Sequence, residues 1–128
     1  MEEYYINSEH KERFLDMIIS DNMAVGDLER ASLFYIISGH DDLYTKRRYI
    51  YNCSTHCINS RFKEADVCFT SSMTALIRLG FNLYNGWQDK YTTPVSILSG
   101  LDDNCFELAT NALRIRFDSC FLYDLLAS

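Results

Sequence analysis

Apolar residues recur at intervals of three and four along most of this chain, which is the spacing of one face of an α-helix. In the segment EHKERFLDMIIS, Phe14, Met17 and Ile18 share such a face. Ser8 precedes the segment and is a residue type that caps helix starts. The first helix is therefore predicted to begin next to Ser8, with residues 22–26 as the break that follows it.

The second segment, LERASLFYIISG, is apolar on nearly every side. A helix of that kind is normally buried all round. Asp27 is placed to cap its start, and Gly39 is a typical residue for its end. We predict that this helix lies at the centre of the fold, around residues 33–37.

Capping residues and apolar spacing predict four further helices. The third runs through LYTKRRYIYNCSTHC to Cys57, and residues 58–69 are expected to be irregular. The fourth ends at the pair Asn85-Gly86, and the fifth is short, with Pro94 in its first turn. The expected starting residues of the four are Asp41 or Asp42, Thr70, Thr93 and Asp102.

The last long helix, DNCFELATNALRIRF, has two faces of opposite character. The expected core face consists of Phe106, Ala109, Leu113 and Phe117. The expected solvent face consists of Glu107, Asn111, Arg114 and Asp118. The tail CFLYDLLAS is apolar enough to dock as one or two further turns.

No segment alternates between apolar and polar residues, and no hairpin signal is present. The sequence therefore predicts an all-α fold: a compact single-domain bundle of about six helices with a buried central helix, spanning residues 1–128. The length of 128 residues fits one domain of about 100–150 residues.

Composition and charge narrow the classes of function. The start MEEYYINSEH lacks the apolar core of a secretory signal, and no apolar run reaches the roughly 18 residues that span a membrane. We expect a cytoplasmic protein with reduced thiols. The net charge of −6 argues against binding of duplex DNA, which requires a basic face. It is compatible with a partner that has a basic surface.

The segment YNCSTHCINS holds the densest group of metal-binding residue types. On the predicted third helix, Cys53, His56 and Cys57 would share one face, and Cys68 could supply a fourth zinc ligand. The spacing does not match the usual paired zinc motifs. Cys53 and Cys57 also continue an apolar stripe, and free cysteine behaves as a small buried hydrophobe. We therefore favour packing over metal, expect Cys68 and Cys105 in the core, and predict no cofactor.

Catalytic motifs are absent from the sequence. His56 and Cys57 point about 100° apart on a helix and cannot pair as base and nucleophile. His10 is expected to be a solvated residue in a first helical turn, and His40 to contact backbone. No nucleophile elbow, zinc-protease motif or phosphate-binding loop is present, so the sequence predicts a protein that is not an enzyme.

Two segments suggest binding. The run TKRRY places Lys46, Arg47 and Arg48 among tyrosines, which could contact a nucleic acid, although a solvated helix face explains it more simply. The segment YNGWQDKYTTP holds Trp87 with Tyr84 and Tyr91 in a polar loop. Such residues form hot spots of protein interfaces, but Trp87 could equally fold back over the core.

Several segments together resemble a family of small uncharacterised proteins from Gram-positive bacteria, their phages and mobile elements. The segments are NSEHKERF, GDLERASLFYIISGHDDLY, LIRLGFNLYNG and FELATNALRIRF. The resemblance covers nearly the whole chain and implies a mobile-element context. It implies no activity and no catalytic residues.

The functional hypothesis is a non-enzymatic protein-binding module. Small acidic proteins of phages often block a host protein such as a CRISPR nuclease, and this step is an analogy. The predicted contacts are Trp87, Tyr91 and Tyr84 as anchors, with Asp102 and Asp103 facing a basic partner surface. A metal-binding Cys/His domain and a nucleic-acid-binding module are the alternatives, and a homo-oligomer stays open.

Overall fold

The computed structural model describes residues 4–128, so residues 1–3 of the predicted 1–128 domain lie outside the described part. Within that part, seven α-helices and one short antiparallel hairpin follow one another along the chain. The helices are α1 (Ser8–Ser20), α2 (Leu28–Ser38), α3 (Asp41–Thr45), α4 (Ser71–Asn85), α5 (Pro94–Leu98), α6 (Asp103–Phe117) and α7 (Ser119–Ala127). The hairpin pairs β1 (Tyr51–Asn52) with β2 (Cys57–Ile58), and 3₁₀ turns cover Arg47–Tyr49 and Phe62–Glu64.

Helix α2 lies at the centre of the fold. Its residues 31–38 are all buried, and it contacts α1, α3, α4, α6 and α7. Helix α4 approaches it closely at Gly80, where an added Cβ would lie 2.8 Å from Leu33 Cδ1. The predicted all-α domain around a buried central helix is thereby confirmed.

Side-chain caps start most of the helices where the sequence predicted them. The side chains of Asp27, Thr70, Thr93 and Asp102 each accept a hydrogen bond from a backbone N–H in the first helical turn. Helix α4 ends at Gly86, whose φ of 81° is left-handed and favours glycine. The cap of α1 is Asn7 instead of Ser8, because the Asn7 side chain accepts from the His10 N–H at 2.8 Å.

The predicted third helix is wrong beyond Thr45. The chain makes one 3₁₀ turn and then enters the hairpin. The Asn52 side chain accepts hydrogen bonds from the backbone N–H groups of Ser54 and Thr55 at 2.8 and 3.2 Å, which offers the backbone an alternative to the helix. His56 then adopts a left-handed φ of 57°, which a helix does not permit.

The predicted core face of the last long helix is right for Ala109 but wrong for its two phenylalanines. Phe106 and Phe117 are exposed, and Phe117 has a relative exposure of 74%. The face that packs on α2 and α4 is rotated and consists of Cys105, Leu108, Ala109, Ala112 and Ile115. These residues are all smaller than phenylalanine, and small residues allow closer contact between helices. Apolar spacing alone did not distinguish the two faces.

The chain ends in α7, which docks as predicted through Phe121, Leu122 and Leu125. Of the helices in the described residues, none is long and apolar enough to span a membrane.

His10 is buried, whereas the sequence predicted a solvated residue. Its Nε2 lies 3.0 Å from the carbonyl oxygen of Tyr35, and its Nδ1 accepts from the N–H of Ile6 at 3.0 Å. These partners require the neutral tautomer with the proton on Nε2. Burial lowers the pKa of His10 to about 4, against the opposing effect of the Tyr35 carbonyl.

Acid is therefore expected to destabilise the fold through His10. In the unfolded chain this histidine takes up a proton near its ordinary pKa of about 6.5, but in the folded chain it does so only near 4. Stability should fall as the pH drops through 6.5, by about 2 kcal/mol between pH 7.5 and pH 5. The measurement is urea unfolding at both pH values for the wild type and His10→Gln.

His40→Asn is the control, because His40 caps α3 through its side chain and Asn is also a good cap. The His10→Gln variant should lose about 2 kcal/mol less than the wild type over this pH range, and His40→Asn should behave like the wild type. An equal pH dependence in all three proteins would mean that His10 is not kept neutral by the fold.

Candidate functional site

Trp87 lies over the core. Its half-buried ring makes edge-to-face contacts with Phe81 at 5.5 Å and Phe62 at 6.5 Å between ring centroids. Its carbonyl accepts from the Asn82 side chain at 3.1 Å, and its N–H donates to Asn85 at 3.0 Å. The Trp87 ring thus covers the core. A contact of Trp87 with a partner stays a prediction.

Tyr91 is the more exposed aromatic residue of this loop, with 47% of its surface accessible. The guanidinium of Arg78 and the ammonium of Lys90 each lie 5.0 Å from the centre of its ring. Asp89 holds the loop, because it accepts from Arg78, Thr92 and the N–H of Tyr91. Burial by itself would raise the pKa of Asp89. The hydrogen bonds outweigh this effect and lower the pKa below its ordinary value. Tyr91 is therefore exposed on a hydrogen-bonded loop, and the positive charges of Arg78 and Lys90 lie beside its ring.

Tyr84 points away from that loop and towards the hairpin. Its hydroxyl donates to the carbonyl oxygen of His56 at 2.5 Å, and its ring lies edge-to-face against Tyr51 at 6.0 Å. Tyr84 therefore does not form one surface with Trp87 and Tyr91, because its hydroxyl is hydrogen-bonded to the hairpin.

Asp102 and Asp103 start α6 at the end far from the Tyr91 loop. Asp102 accepts from the Cys105 N–H at 2.8 Å, and this backbone hydrogen bond lowers the pKa of Asp102. Asp102 lines one depression with Asp41 and Asp42, so carboxylates of two helix starts form an acidic end. A rise of 1.5 Å per residue puts this acidic end about 20 Å from Phe117 at the other end of α6.

A narrow apolar groove lies at that other end. It runs between α4, α5 and α6 and has a volume of about 190 Å³. Thr92 and Thr93, which follow Tyr91 in the chain, also line it, so the groove and the Tyr91 loop are neighbours. Its apolar walls include Leu79, Leu83, Pro94, Leu98, Leu113 and Phe117.

The cysteines and the histidine of CSTHC lie on the hairpin instead of a helix face. Cys53, Cys57 and Cys68 are all exposed, so the prediction that they pack in the core is wrong, whereas Cys105 is buried as predicted. Burial raises the pKa of the Cys105 thiol to about 11, with Asp102 adding to the effect. No group of three or more metal-binding side chains is assembled among residues 4–128.

The three cations of the TKRRY run each contact their own chain. Lys46 donates to the carbonyl oxygen of Cys68 at 2.6 Å. The guanidinium of Arg47 lies 4.0 Å from the ring centre of Tyr44, and that of Arg48 lies 4.8 Å from the ring centre of Tyr49. These contacts fix the directions of the two arginines beside the hairpin.

Sequence reasoning missed a buried polar network at the end of α1. The side chain of Asp21 is only 1% exposed. It accepts from Arg30 Nη1 at 2.8 Å and from the Tyr51 hydroxyl at 3.1 Å, and His56 Nδ1 lies 3.1 Å away. Because the carboxylate can only accept, His56 must carry its proton on Nδ1 to donate to it. No local pattern signals this network, since its members are up to 35 residues apart.

Burial and the neighbouring Asp21 charge affect Tyr51 in the same direction. Both raise the pKa of the Tyr51 hydroxyl, with burial as the larger cause. Tyr51 therefore stays protonated and acts as a donor to the carboxylate. The Tyr51 hydroxyl also lies 3.3 Å from His56 Nδ1, so the network holds these two side chains together beside the Asp21 carboxylate.

A comparison with protein families matches residues 1–124 to a family of unknown function, DUF6075. No curated protein and no solved structure matches the chain. The match covers nearly the whole chain and agrees with the resemblance to a family of uncharacterised proteins. The chain therefore belongs to the family of unknown function DUF6075.

Proposed function

We propose that this chain is a protein-binding module that acts by occupying a surface on another protein, without chemistry of its own. The observation that carries the proposal is the apolar surface around α5 and the end of α6. Phe117, which lines the apolar groove, is 74% exposed, and Val95, which follows the groove residue Pro94 in α5, is 78% exposed. Large apolar side chains grouped at one place on a surface are typical of interaction sites.

The dimensions of the groove favour a protein partner. A volume of about 190 Å³ is below the roughly 300–1,000 Å³ of most small-molecule sites. The groove therefore fits an apolar side chain inserted by a partner, with Phe117 packing against it. Aromatic residues in such positions contribute much of the binding energy of protein interfaces.

The Tyr91 loop extends this surface. Tyr91 directly precedes Thr92 and Thr93, which line the groove, and its ring is flanked by Arg78 and Lys90. A partner residue that packs on Tyr91 would meet positive charge, so acidic groups on the partner are favoured at this edge. Trp87 belongs to the proposed contact only through its outer edge, because its ring also covers the core.

The partner we propose is a host protein, in keeping with an origin in phages or mobile elements of Gram-positive bacteria. The acidic end formed by Asp41, Asp42, Asp102 and Asp103 would face a basic surface on the same partner or direct its approach. A nucleic-acid enzyme of host defence, such as a CRISPR nuclease, has such a surface. By analogy with small acidic phage proteins, we propose that the chain inhibits such an enzyme.

Phe117→Ser is expected to weaken binding by about 2 kcal/mol or more, which is roughly a thirtyfold rise in the dissociation constant. The reason is that Phe117 contributes apolar area to the contact but is exposed in the free chain. The partner is first obtained by pull-down from host extract, and purified proteins are then titrated by calorimetry.

Ile19→Ser is the matched control, since Ile19 is 77% exposed on α1, away from the groove. It should bind like the wild type. Trp87→Ala is a poorer probe, because loss of its contacts with Phe81 and Phe62 would also destabilise the fold. Equal affinity of Phe117→Ser and Ile19→Ser would exclude the groove from the interface.

A further inference from the structure

A second cavity lies on a different side of the molecule. It has a volume of about 490 Å³, within the range of small-molecule sites. It is open to solvent on one side and bordered by the end of α1, by α2, by the 3₁₀ turn at Arg47–Tyr49 and by the hairpin. The residues that matter for its chemistry are Met17, Phe34, Tyr51, Asp16, Arg47 and Arg48.

The floor of this cavity is apolar and partly aromatic. Met17, Phe34 and Tyr51 are buried in the core but line the cavity. The Phe34 and Tyr51 rings lie edge-to-face at 5.2 Å between centroids. Aromatic rings and an adaptable methionine form a surface that suits a flat apolar group.

One wall of the cavity is held rigidly by the network around Asp21. The carboxylate binds Tyr51 of the hairpin, Arg30 of α2 and His56 of the turn. The left-handed backbone at His56, unfavourable for a residue other than glycine, keeps its ring on this network. Buried ion pairs contribute little net stability compared with apolar packing, so their effect here is to fix the geometry of the wall.

Two arginines line the cavity. Arg47 is held by the Tyr44 ring and donates to the Tyr44 carbonyl oxygen at 2.8 Å, whereas Arg48 donates to the Tyr49 hydroxyl at 2.7 Å. A guanidinium has five N–H donors, so both arginines retain donors for a ligand.

Two cations and two carboxylates line the cavity, so its formal charge is zero, in a chain whose total is −6. Asp16 accepts from the Tyr44 hydroxyl at 3.3 Å. Asp21 pairs with Arg30, which lies outside the lining, so Arg47 and Arg48 are opposed within it mainly by Asp16.

We propose that this cavity binds a small molecule with a flat apolar body and one anionic group. The body would lie on Met17, Phe34 and Tyr51, and the anion would pair with Arg47 and Arg48. Planar guanidinium groups suit carboxylate, sulfonate and phosphate oxygens alike. This site is independent of the groove between α4, α5 and α6, because the two share no lining residue.

Two fluorescent probes test the proposal. 8-Anilinonaphthalene-1-sulfonate has the required body and charge, and N-phenyl-1-naphthylamine has the same ring system without the sulfonate. The folded wild type should bind the sulfonate probe at least about tenfold more tightly, a difference of about 1.4 kcal/mol. The Arg47→Met, Arg48→Met double variant should bind both probes equally.

Arg61→Met is the matched control, because Arg61 is 79% exposed, pairs with Glu64, which is also exposed, and lies outside the cavity. It should keep the preference for the sulfonate. Ser20→Phe keeps both arginines but adds a ring at the cavity lining, so it should weaken binding of both probes. Circular dichroism confirms that each variant is folded.

Amide shifts from a nitrogen–proton correlation spectrum locate the probe. We expect shifts at Ser20, Thr45 and Asn52, which line the cavity. Shifts confined to Thr92 and Phe117 of the groove would overturn the proposal, and so would an unchanged sulfonate preference in the double variant. A wild type that binds neither probe, or binds both equally, would overturn it as well.

Discussion

The Ile36→Ala variant is expected to lose about 2–5 kcal/mol of unfolding free energy. Ile36 is fully buried in α2, the helix that contacts most of the others. Its side chain faces α4 at Gly80, where an added Cβ would lie 3.6 Å from Ile36 Cδ1. Removing three carbons at this place leaves a cavity between two closely packed helices that cannot collapse easily. The measurement is unfolding in urea, followed by circular dichroism.

Ile19→Ala is the control for the same chemical change. Ile19 is exposed on α1, and its truncation should change the unfolding free energy by no more than about 0.5 kcal/mol. The denaturant dependence should be alike in the wild type and both variants, which shows that the same folded unit melts. A loss for Ile36→Ala as small as that for Ile19→Ala would place α2 at the periphery.

The features that sequence reasoning predicted well are local ones. A helix cap depends on one side chain and a backbone N–H three residues later, so Asp27, Thr70, Thr93 and Asp102 could be identified from the sequence alone. The central position of α2 followed from the same kind of information, because a helix that is apolar on every side has no face for solvent.

The features that sequence reasoning missed depend on competition between local structures or on contacts between residues far apart in the chain. The segment after Thr45 had apolar residues at helical spacing, but the Asn52 side chain stabilises a turn that the spacing does not reveal. The face of α6 predicted for the core includes Phe106 and Phe117, but the close contact with α2 selects a neighbouring face of smaller residues. Packing between helices decides which face of α6 is buried, and the spacing of apolar residues within one helix carries no information about that packing.

The candidate sites show the same division. Tyr91 was recognisable as an aromatic residue in a polar loop, and the structure places it at the surface. The cavity beside the hairpin was not recognisable, because it is formed by segments far apart in the chain. Asp21 looked like an ordinary residue at a helix end, and only the fold brings Arg30, Tyr51 and His56 around it.

The Asp21→Asn variant is expected to lose about 3 kcal/mol of unfolding free energy, at the lower end of the effect of breaking a buried ion pair. Asparagine keeps the shape but removes the charge that compensates Arg30. Asp27 stays 3.4 Å from Arg30 Nε, which limits the loss, although that nitrogen makes no hydrogen bond within the described residues. The amide also cannot accept from Arg30, Tyr51 and His56 as a carboxylate does.

A double-mutant cycle with Arg30→Gln tests whether the pair is the cause. If Arg30 and Asp21 depend on each other, the double variant should be less destabilised than the sum of the single variants, by at least about 0.5 kcal/mol. Asp16→Asn is the control, because Asp16 loses the same charge on the same helix but is exposed. Urea unfolding at pH 7 measures all four variants. Additive losses, or a loss for Asp21→Asn no larger than that for Asp16→Asn, would show that the Asp21–Arg30 pair is not the cause of the destabilisation.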